Sequence, residues 1–187
     1  MNPSREDAWR LVELGTRSQG LRRHMRSVEI VMRAYAVHLG EDPERWGRLG
    51  LIHDWDYEEG PSPEQHPLRG NELLRGRGWP EDLLQDIASH ADRLGVTRNT
   101  PIRRALYAVD ELSGFMIACA LVQPNHSLAA LDAAAVRRKM KDRSFARGVH
   151  RESMLAGAEA LGVDFDTHVV FVRDALIPFA VELGLNP

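Results

Sequence analysis

An imidazole and a carboxylate stand side by side at His53 and Asp54, directly after the apolar run 49–52. On a short helical turn, these two side chains can each offer a lone pair to the same cation. Residues of the same two chemical types recur along the chain, at His24, His66, His90 and Asp110. Neutral imidazoles and carboxylates are ligands for Mn, Fe, Co, Ni and Zn. The series, which reads H, HD, H, H, D, therefore indicates a metal site with nitrogen and oxygen ligands.

Helices must position these residues. Apolar residues recur at helical spacing along most of the chain, and no stretch alternates as a half-buried strand would. The sequence predicts an all-α fold, a bundle of about eight helices, preceded by a segment at 4–17 that is either a first helix or a flap. Caps, glycines and prolines predict the helices at about 21–39, 43–53, 67–75, 80–90, 101–122, 132–141, 151–161 and 166 onward, with a bend at Pro178.

The apolar spacing turns the histidines towards the interior. His24 shares a helix face with Val28, Val31 and Tyr35, because these residues are spaced by three or four positions. His53 and His90 follow apolar residues at similar spacings. Asp110 borders the apolar stripe of its helix, where an unpartnered carboxylate would cost several kcal/mol. A metal ion would supply the missing partner.

Composition limits the other classes of function. The 187 residues are enough for one domain with a sizeable core, and we expect a single domain over 1–187. A net charge of −3 argues against a general electrostatic attraction to nucleic acid or to an anionic membrane. No run has the length and apolarity of a membrane span, and the polar segment 1–10 does not resemble a secretory signal, so we expect a cytoplasmic protein. Cys119 is the only cysteine, which leaves no set of thiolates for zinc.

The doublet and its flanking residues resemble the HD superfamily of metal-dependent phosphohydrolases. The resemblance covers about 21–115, leaving a helical extension at about 127–187, and it implies an HD-domain helical bundle. It assigns His24, His53, Asp54 and Asp110 to one divalent ion, and Asp54, His66 and His90 to a second. Asp54 would bridge the two ions and is therefore also a predicted catalytic residue. Whether one or two ions bind, and whether they are Fe, Mn, Co, Ni or Zn, stays open.

The implied reaction is hydrolysis of a phosphate ester. Two such ions lie about 3.5 to 4 Å apart and activate water as a hydroxide nucleophile. Two divalent ions, two carboxylates and one hydroxide leave the site near +1, so we expect an anionic substrate, a small phosphorylated metabolite or nucleotide. Asp92, two residues after His90, is a predicted proton donor or orienting residue, although it could equally be an ordinary helix cap.

The segment 66–70, HPLRG, matches the HPxxG element of two-metal members of this superfamily, including cyclic-dinucleotide phosphodiesterases of the HD-GYP type. The rest of that signature is missing. Trp79-Pro80 precedes His90 instead of following it, a single histidine replaces the paired histidines, and Asp56-Tyr57 stands where those enzymes have a lysine. A cyclic dinucleotide is therefore disfavoured as substrate.

A basic segment lies just beyond the matched region and contains the only two lysines of the chain. It is either a solvated helix face, stabilised by the helix dipole, or a contact for the substrate phosphate. The predicted substrate-binding residues are Lys139, Lys141, Arg143 and Arg147.

Two other functions remain possible for the same residues. Some HD-fold proteins with a similar ligand series hold two irons and oxidise their substrates with dioxygen, so the ligands alone do not identify the reaction. A non-catalytic module that binds a nucleotide and signals through a partner is the second alternative. Metal content, oxygen consumption and turnover would separate the three.

Overall fold

The computed structural model describes residues 3–59 and 63–187, in which it contains nine α-helices and no β-strand. The predicted all-α fold is confirmed. The helices are α1 (Arg5–Gly15), α2 (Gln19–Leu39), α3 (Pro43–Ile52), α4 (Leu68–Gly76), α5 (Glu81–Ala88), α6 (Pro101–Leu121), α7 (Ala133–Lys141), α8 (Arg151–Leu161) and α9 (Phe165–Leu176). The segment predicted at 4–17 is a helix, and the bend predicted at Pro178 is a 3₁₀ turn, Ile177–Phe179, that continues α9. Within the described part of the chain, no helix is long and apolar enough to cross a membrane.

Side-chain caps begin α1, α3 and α7 where the sequence predicts. Ser4 and Asp7 form a reciprocal capping box at the start of α1. Asp42 precedes Pro43, the first residue of α3, and its side chain accepts a hydrogen bond from the backbone N–H of Glu44. Asp132 caps α7 in the same way. Such caps satisfy amides that have no partner inside the helix.

The chain divides into two compact units, residues 1–106 and residues 107–187. The prediction of a single domain stays a prediction. Unit one contains α1 to α5 and the first residues of α6. Its core includes the extensive contact between α2 and α3, with α1 and α5 also packed against α3. One buried carboxylate, Glu29 on α2, accepts from Arg5, Arg26 and Arg33 at 2.6 to 3.2 Å, so its charge is well compensated.

Unit two contains the rest of α6 and α7 to α9, and α9 packs against both α7 and α8. Gly157 of α8 lies so close to α6 that a Cβ there would stand 2.6 Å from the Cα of Ala108. His168 of α9 is fully buried and donates a hydrogen bond from Nε2 to the Ala108 carbonyl at 2.9 Å. Cys119 is buried, and burial raises the pKa of its thiol to about 12.

Candidate metal centre

The first pair of histidines is brought together by the packing of α2 on α3. Gly50 makes this packing close: a Cβ at Gly50 would stand 3.0 Å from the backbone nitrogen of Glu29 and from the carbonyl carbon of Val28. With this approach, the Nε2 atoms of His24 and His53 lie 3.2 Å apart. His53 is completely buried, whereas a fifth of the His24 side chain is exposed.

Asp54 follows the end of α3, and each of its two carboxylate oxygens faces a different pair of histidines. Oδ2 lies 3.5 Å from Nε2 of His24 and 3.4 Å from Nε2 of His53. Oδ1 lies 3.0 Å from Nε2 of His66 and 3.4 Å from Nε2 of His90. The carboxylate therefore belongs to two neighbouring groups of potential ligands, and within each group the ligand atoms lie within 4.8 Å of one another.

The second pair of histidines comes from turns beside helices. His66 follows the 3₁₀ turn Pro63–Gln65 and precedes α4, whereas His90 follows α5, which ends two residues earlier at Ala88. The sequence predicted His90 inside this helix. Its position in the turn after the helix leaves the imidazole facing inward, with 7 % of the side chain exposed. The Nε2 atoms of His66 and His90 lie 2.9 Å apart.

The Nδ1 atoms of His53, His66 and His90 are each bound to an acceptor. Nδ1–H of His53 donates to the Gly50 carbonyl at 2.8 Å, and Nδ1–H of His90 donates to the Ile87 carbonyl at 2.6 Å. Nδ1–H of His66 donates to Oδ1 of Asp56 at 2.7 Å. A proton on Nδ1 leaves the lone pair of a neutral imidazole on Nε2, and all three Nε2 atoms face the Asp54 carboxylate.

This arrangement fits divalent metal ions. In neutral His66 and His90, the Nε2 lone pairs face each other at 2.9 Å, so neither can donate to the other, and a cation would relieve the repulsion. Two ligand atoms that are each about 2.1 Å from an ion stand about 3.0 Å apart at an octahedral edge and about 3.4 Å apart at a tetrahedral one. The nitrogen to oxygen distances around Asp54, 3.0 to 3.5 Å, cover this range. The buried histidine and aspartate groups could therefore hold a metal ion.

The electrostatics of the cluster keep Asp54 ionised. Burial by itself would raise the pKa of Asp54, but the charge of His53 and hydrogen bonds from His24, His53 and His66 hold the pKa well below its usual range. Burial would lower the pKa of His66, but hydrogen bonds to Asp54 and Asp56, together with their charges, raise it to about 9.

One buried carboxylate at the site was missed by the sequence interpretation. Asp56 has 1 % of its surface exposed and accepts from both His66 and the backbone N–H of Gly70. The sequence pattern marks Asp56 only as a departure from the HD-GYP signature. The signal that could have identified it is its residue type, because carboxylates commonly orient metal-binding histidines by accepting a hydrogen bond from Nδ1–H.

The other predicted site residues occupy α6, a 3₁₀ turn and the segment 139–147. Asp110 is half-buried on α6, in the part that belongs to unit two. Asp92 is exposed in a 3₁₀ turn, where its carboxylate pairs with Arg98 at 2.7 Å. Lys139, on α7 in unit two, places its ammonium 4.8 Å from the centroid of the Phe145 ring. Lys141, Arg143 and Arg147 are exposed in the same unit. Their roles stay predictions.

Comparisons with known proteins identify no family for this chain. No protein-family model matches the chain, and no curated protein or solved structure matches it either. The helical fold and the histidine and aspartate cluster are compatible with a metal site of the HD kind, and the resemblance to that superfamily rests on these residues alone.

Proposed function

We propose that this protein is a metal-dependent phosphohydrolase of the HD superfamily that acts on a small phosphorylated metabolite or nucleotide through a two-ion site. The observation that carries the proposal is the position of Asp54, whose two oxygens face two separate pairs of imidazole nitrogens. A bridging carboxylate of this kind is the simplest way for six ligands to serve two ions. His24 and His53 would bind one ion with Asp54, and His66 and His90 would bind the other.

The resemblance assigns Asp110, on α6, to the first ion as the last member of the ligand series. With Asp54 and Asp110 as the carboxylate ligands, two divalent cations would retain an excess of positive charge. This charge favours an anionic substrate such as a phosphate ester.

When bound, the ions would supply Lewis acidity, lowering the pKa of water and offsetting charge on the phosphoryl oxygens. The protein contributes neutral imidazoles with their Nε2 lone pairs held inward and a carboxylate kept ionised. Asp92 is the predicted proton donor to the leaving oxygen. Its carboxylate forms an ion pair with Arg98 at 2.7 Å, and this pair would have to open before Asp92 could reach the leaving oxygen.

The basic residues of unit two are proposed to contact the substrate phosphate. Lys141, Arg143 and Arg147 have exposed side chains, and the Lys139 ammonium lies over an aromatic ring. A contact of this kind would bind the ground state and the transition state similarly, so its loss would raise KM more than it lowers kcat.

The test combines metal analysis with a phosphate-release assay. Protein purified without chelator, or reconstituted with Mn, Fe(II), Co or Ni, is assayed against a panel of nucleotides and phosphorylated metabolites. We expect up to two ions per chain and phosphate release, and we expect Asp54→Asn to lose both ions and at least about 100-fold in kcat/KM, because one carboxylate serves both sites. His38→Gln is the matched control, since His38 is exposed at the far end of α2.

Three results would contradict the proposal. The first is failure to release phosphate with any metal. The second is oxygen consumption by the iron-loaded protein with oxidation of a substrate, which would identify the di-iron oxygenase. The third is nucleotide binding without turnover, which would identify a binding module.

A further inference from the structure

Asp56 is buried at the edge of the histidine cluster and makes two short hydrogen bonds. Oδ1 accepts from Nδ1–H of His66 at 2.7 Å, and Oδ2 accepts from the backbone N–H of Gly70 at 2.7 Å. A carboxylate with 1 % exposure needs such partners, because desolvation without them would cost several kcal/mol. Both of its oxygens are therefore engaged, one by a predicted ligand and one by a helix.

The bond to His66 determines how that imidazole presents its other nitrogen. With the proton held on Nδ1, the lone pair lies on Nε2, which faces Oδ1 of Asp54 at 3.0 Å and Nε2 of His90 at 2.9 Å. The same bond fixes the plane of the ring. The Nδ1 protons of His53 and His90 go instead to carbonyls of the helices that precede them. Asp56 takes the place of that local carbonyl.

The bond to Gly70 anchors the carboxylate to α4. Gly70 lies in the first turn of that helix, and the residue at its N-cap, Pro67, contributes no side-chain hydrogen bond. Oδ2 of Asp56 thus accepts from an amide near the positive end of the helix dipole. Only a residue without a Cβ leaves room for this contact, since a Cβ at Gly70 would stand 2.5 Å from Cγ and 2.7 Å from Oδ2 of Asp56.

We propose that Asp56, seated on Gly70, is a positioning residue that sets His66 for the second ion. This inference rests on the proposed two-ion site and adds a residue outside the ligand series. It also gives a structural role to the glycine of the HPLRG segment, since Gly70 makes space for the carboxylate that orients His66.

The experiment is a titration of metal-free protein with Co(II), followed by visible absorption and by equilibrium dialysis. We expect the wild-type protein to bind two cobalt ions. Asp56→Asn keeps the size of the side chain but removes its charge, and its amide group cannot accept from both partners. We expect it to retain one ion and to bind the second about 10- to 100-fold more weakly, with loss of the part of the cobalt spectrum that develops with the second equivalent.

Gly70→Ala tests the same role of Asp56 without changing Asp56 itself or any predicted ligand. It should weaken the second ion in the same way, because Asp56 must move away from the new Cβ. Gly76→Ala is the matched control: it lies in the same helix, where a Cβ would meet nothing within 4 Å. Circular dichroism shows whether each variant is folded, and if Asp56→Asn does not fold, Gly70→Ala decides the question.

A double-mutant cycle distinguishes a positioning role of Asp56 from an effect of Asp56 on the stability of the fold. If Asp56 acts through His66, Asp56→Asn should have no further effect on cobalt binding in a His66→Ala background. Variants that bind both ions with wild-type affinity, or that lose both ions equally, would overturn the role of Asp56 and leave the proposed function standing. A folded wild-type protein that binds no cobalt would overturn both, and one that binds a single ion would overturn this inference while leaving a one-ion hydrolase.

Discussion

At the scale of single residues, the histidines of the cluster differ in what holds them. His53 and His90 donate to carbonyls one helical turn earlier, so local backbone geometry orients both rings. His66 depends on Asp56, a residue ten positions away. The orientation of the His66 ring is therefore more sensitive to changes elsewhere in the chain than that of His53 or His90. Asp54 connects the two pairs through its separate oxygens.

Removing one histidine should affect one ion more than the other. In His66→Ala we expect the second ion to be depleted and the first retained, because His24, His53 and Asp54 are unchanged. In His24→Ala we expect the converse. Elemental analysis after dialysis measures the ion content, and each variant should lose at least about 10-fold in affinity at its own site. Full turnover of His66→Ala with one bound ion would instead indicate a mononuclear enzyme.

At the scale of secondary-structure elements, the contact between α2 and α3 brings the first pair of histidines together. The contact is close because Gly50 presents no side chain to the backbone around Val28 and Glu29. Helices that pack through a glycine approach more closely than helices that pack through larger residues. The distance between the Nε2 atoms of His24 and His53 thus depends on a residue that is not itself a ligand.

Gly50→Ala should push α2 and α3 apart. Overpacking of this kind typically destabilises a protein by about 1 to 3 kcal/mol, and the displacement should also weaken binding of the first ion. Urea unfolding and cobalt titration measure the two effects. Gly20→Ala is the control, since it lies near the start of α2, where the nearest atom would be 3.5 Å from the new Cβ. Equal stability of Gly50→Ala and wild type would show that the two helices can separate without cost.

At the scale of the whole molecule, stability and its pH dependence combine contributions from both units. In unit two, burial lowers the pKa of His168, although its hydrogen bond to the Ala108 carbonyl acts in the opposite direction. Because the folded state favours the neutral imidazole, the unfolded chain binds a proton more readily near pH 6.5. The contribution of this residue to stability is therefore present above that pH and is lost as the pH falls below it.

His168→Gln tests this pH dependence. At pH 7.5 the variant should be less stable than wild type by about 1 to 2 kcal/mol, because a buried hydrogen bond is weakened. At pH 5.5 the difference should be smaller, since only the wild type is penalised for protonating this residue. Urea unfolding at the two pH values measures it. His150→Gln, at an exposed position before α8, serves as the control. A stability difference that grows towards acid pH would show that the sign is wrong.

The sequence by itself determined the helices and the chemical types of the potential ligands. Helical spacing and caps such as Ser4, Asp42 and Asp132 are local signals, because they act within a few residues of one another. The local pattern therefore predicted an all-α protein with His53 and Asp54 at the end of a helix. It also named the imidazoles and carboxylates that could bind metal, since ligand chemistry is a property of the side chain alone.

Only the tertiary structure decided how those side chains meet. The two-sided environment of Asp54 depends on helices and turns that are distant in sequence, and spacing along the chain carries no information about which oxygen faces which histidine. The same is true of Asp56, whose role depends on His66 and on the missing Cβ of Gly70. Hydrogen bonds and close packing act over a few ångströms in space, so they become visible only when the fold has brought distant residues together.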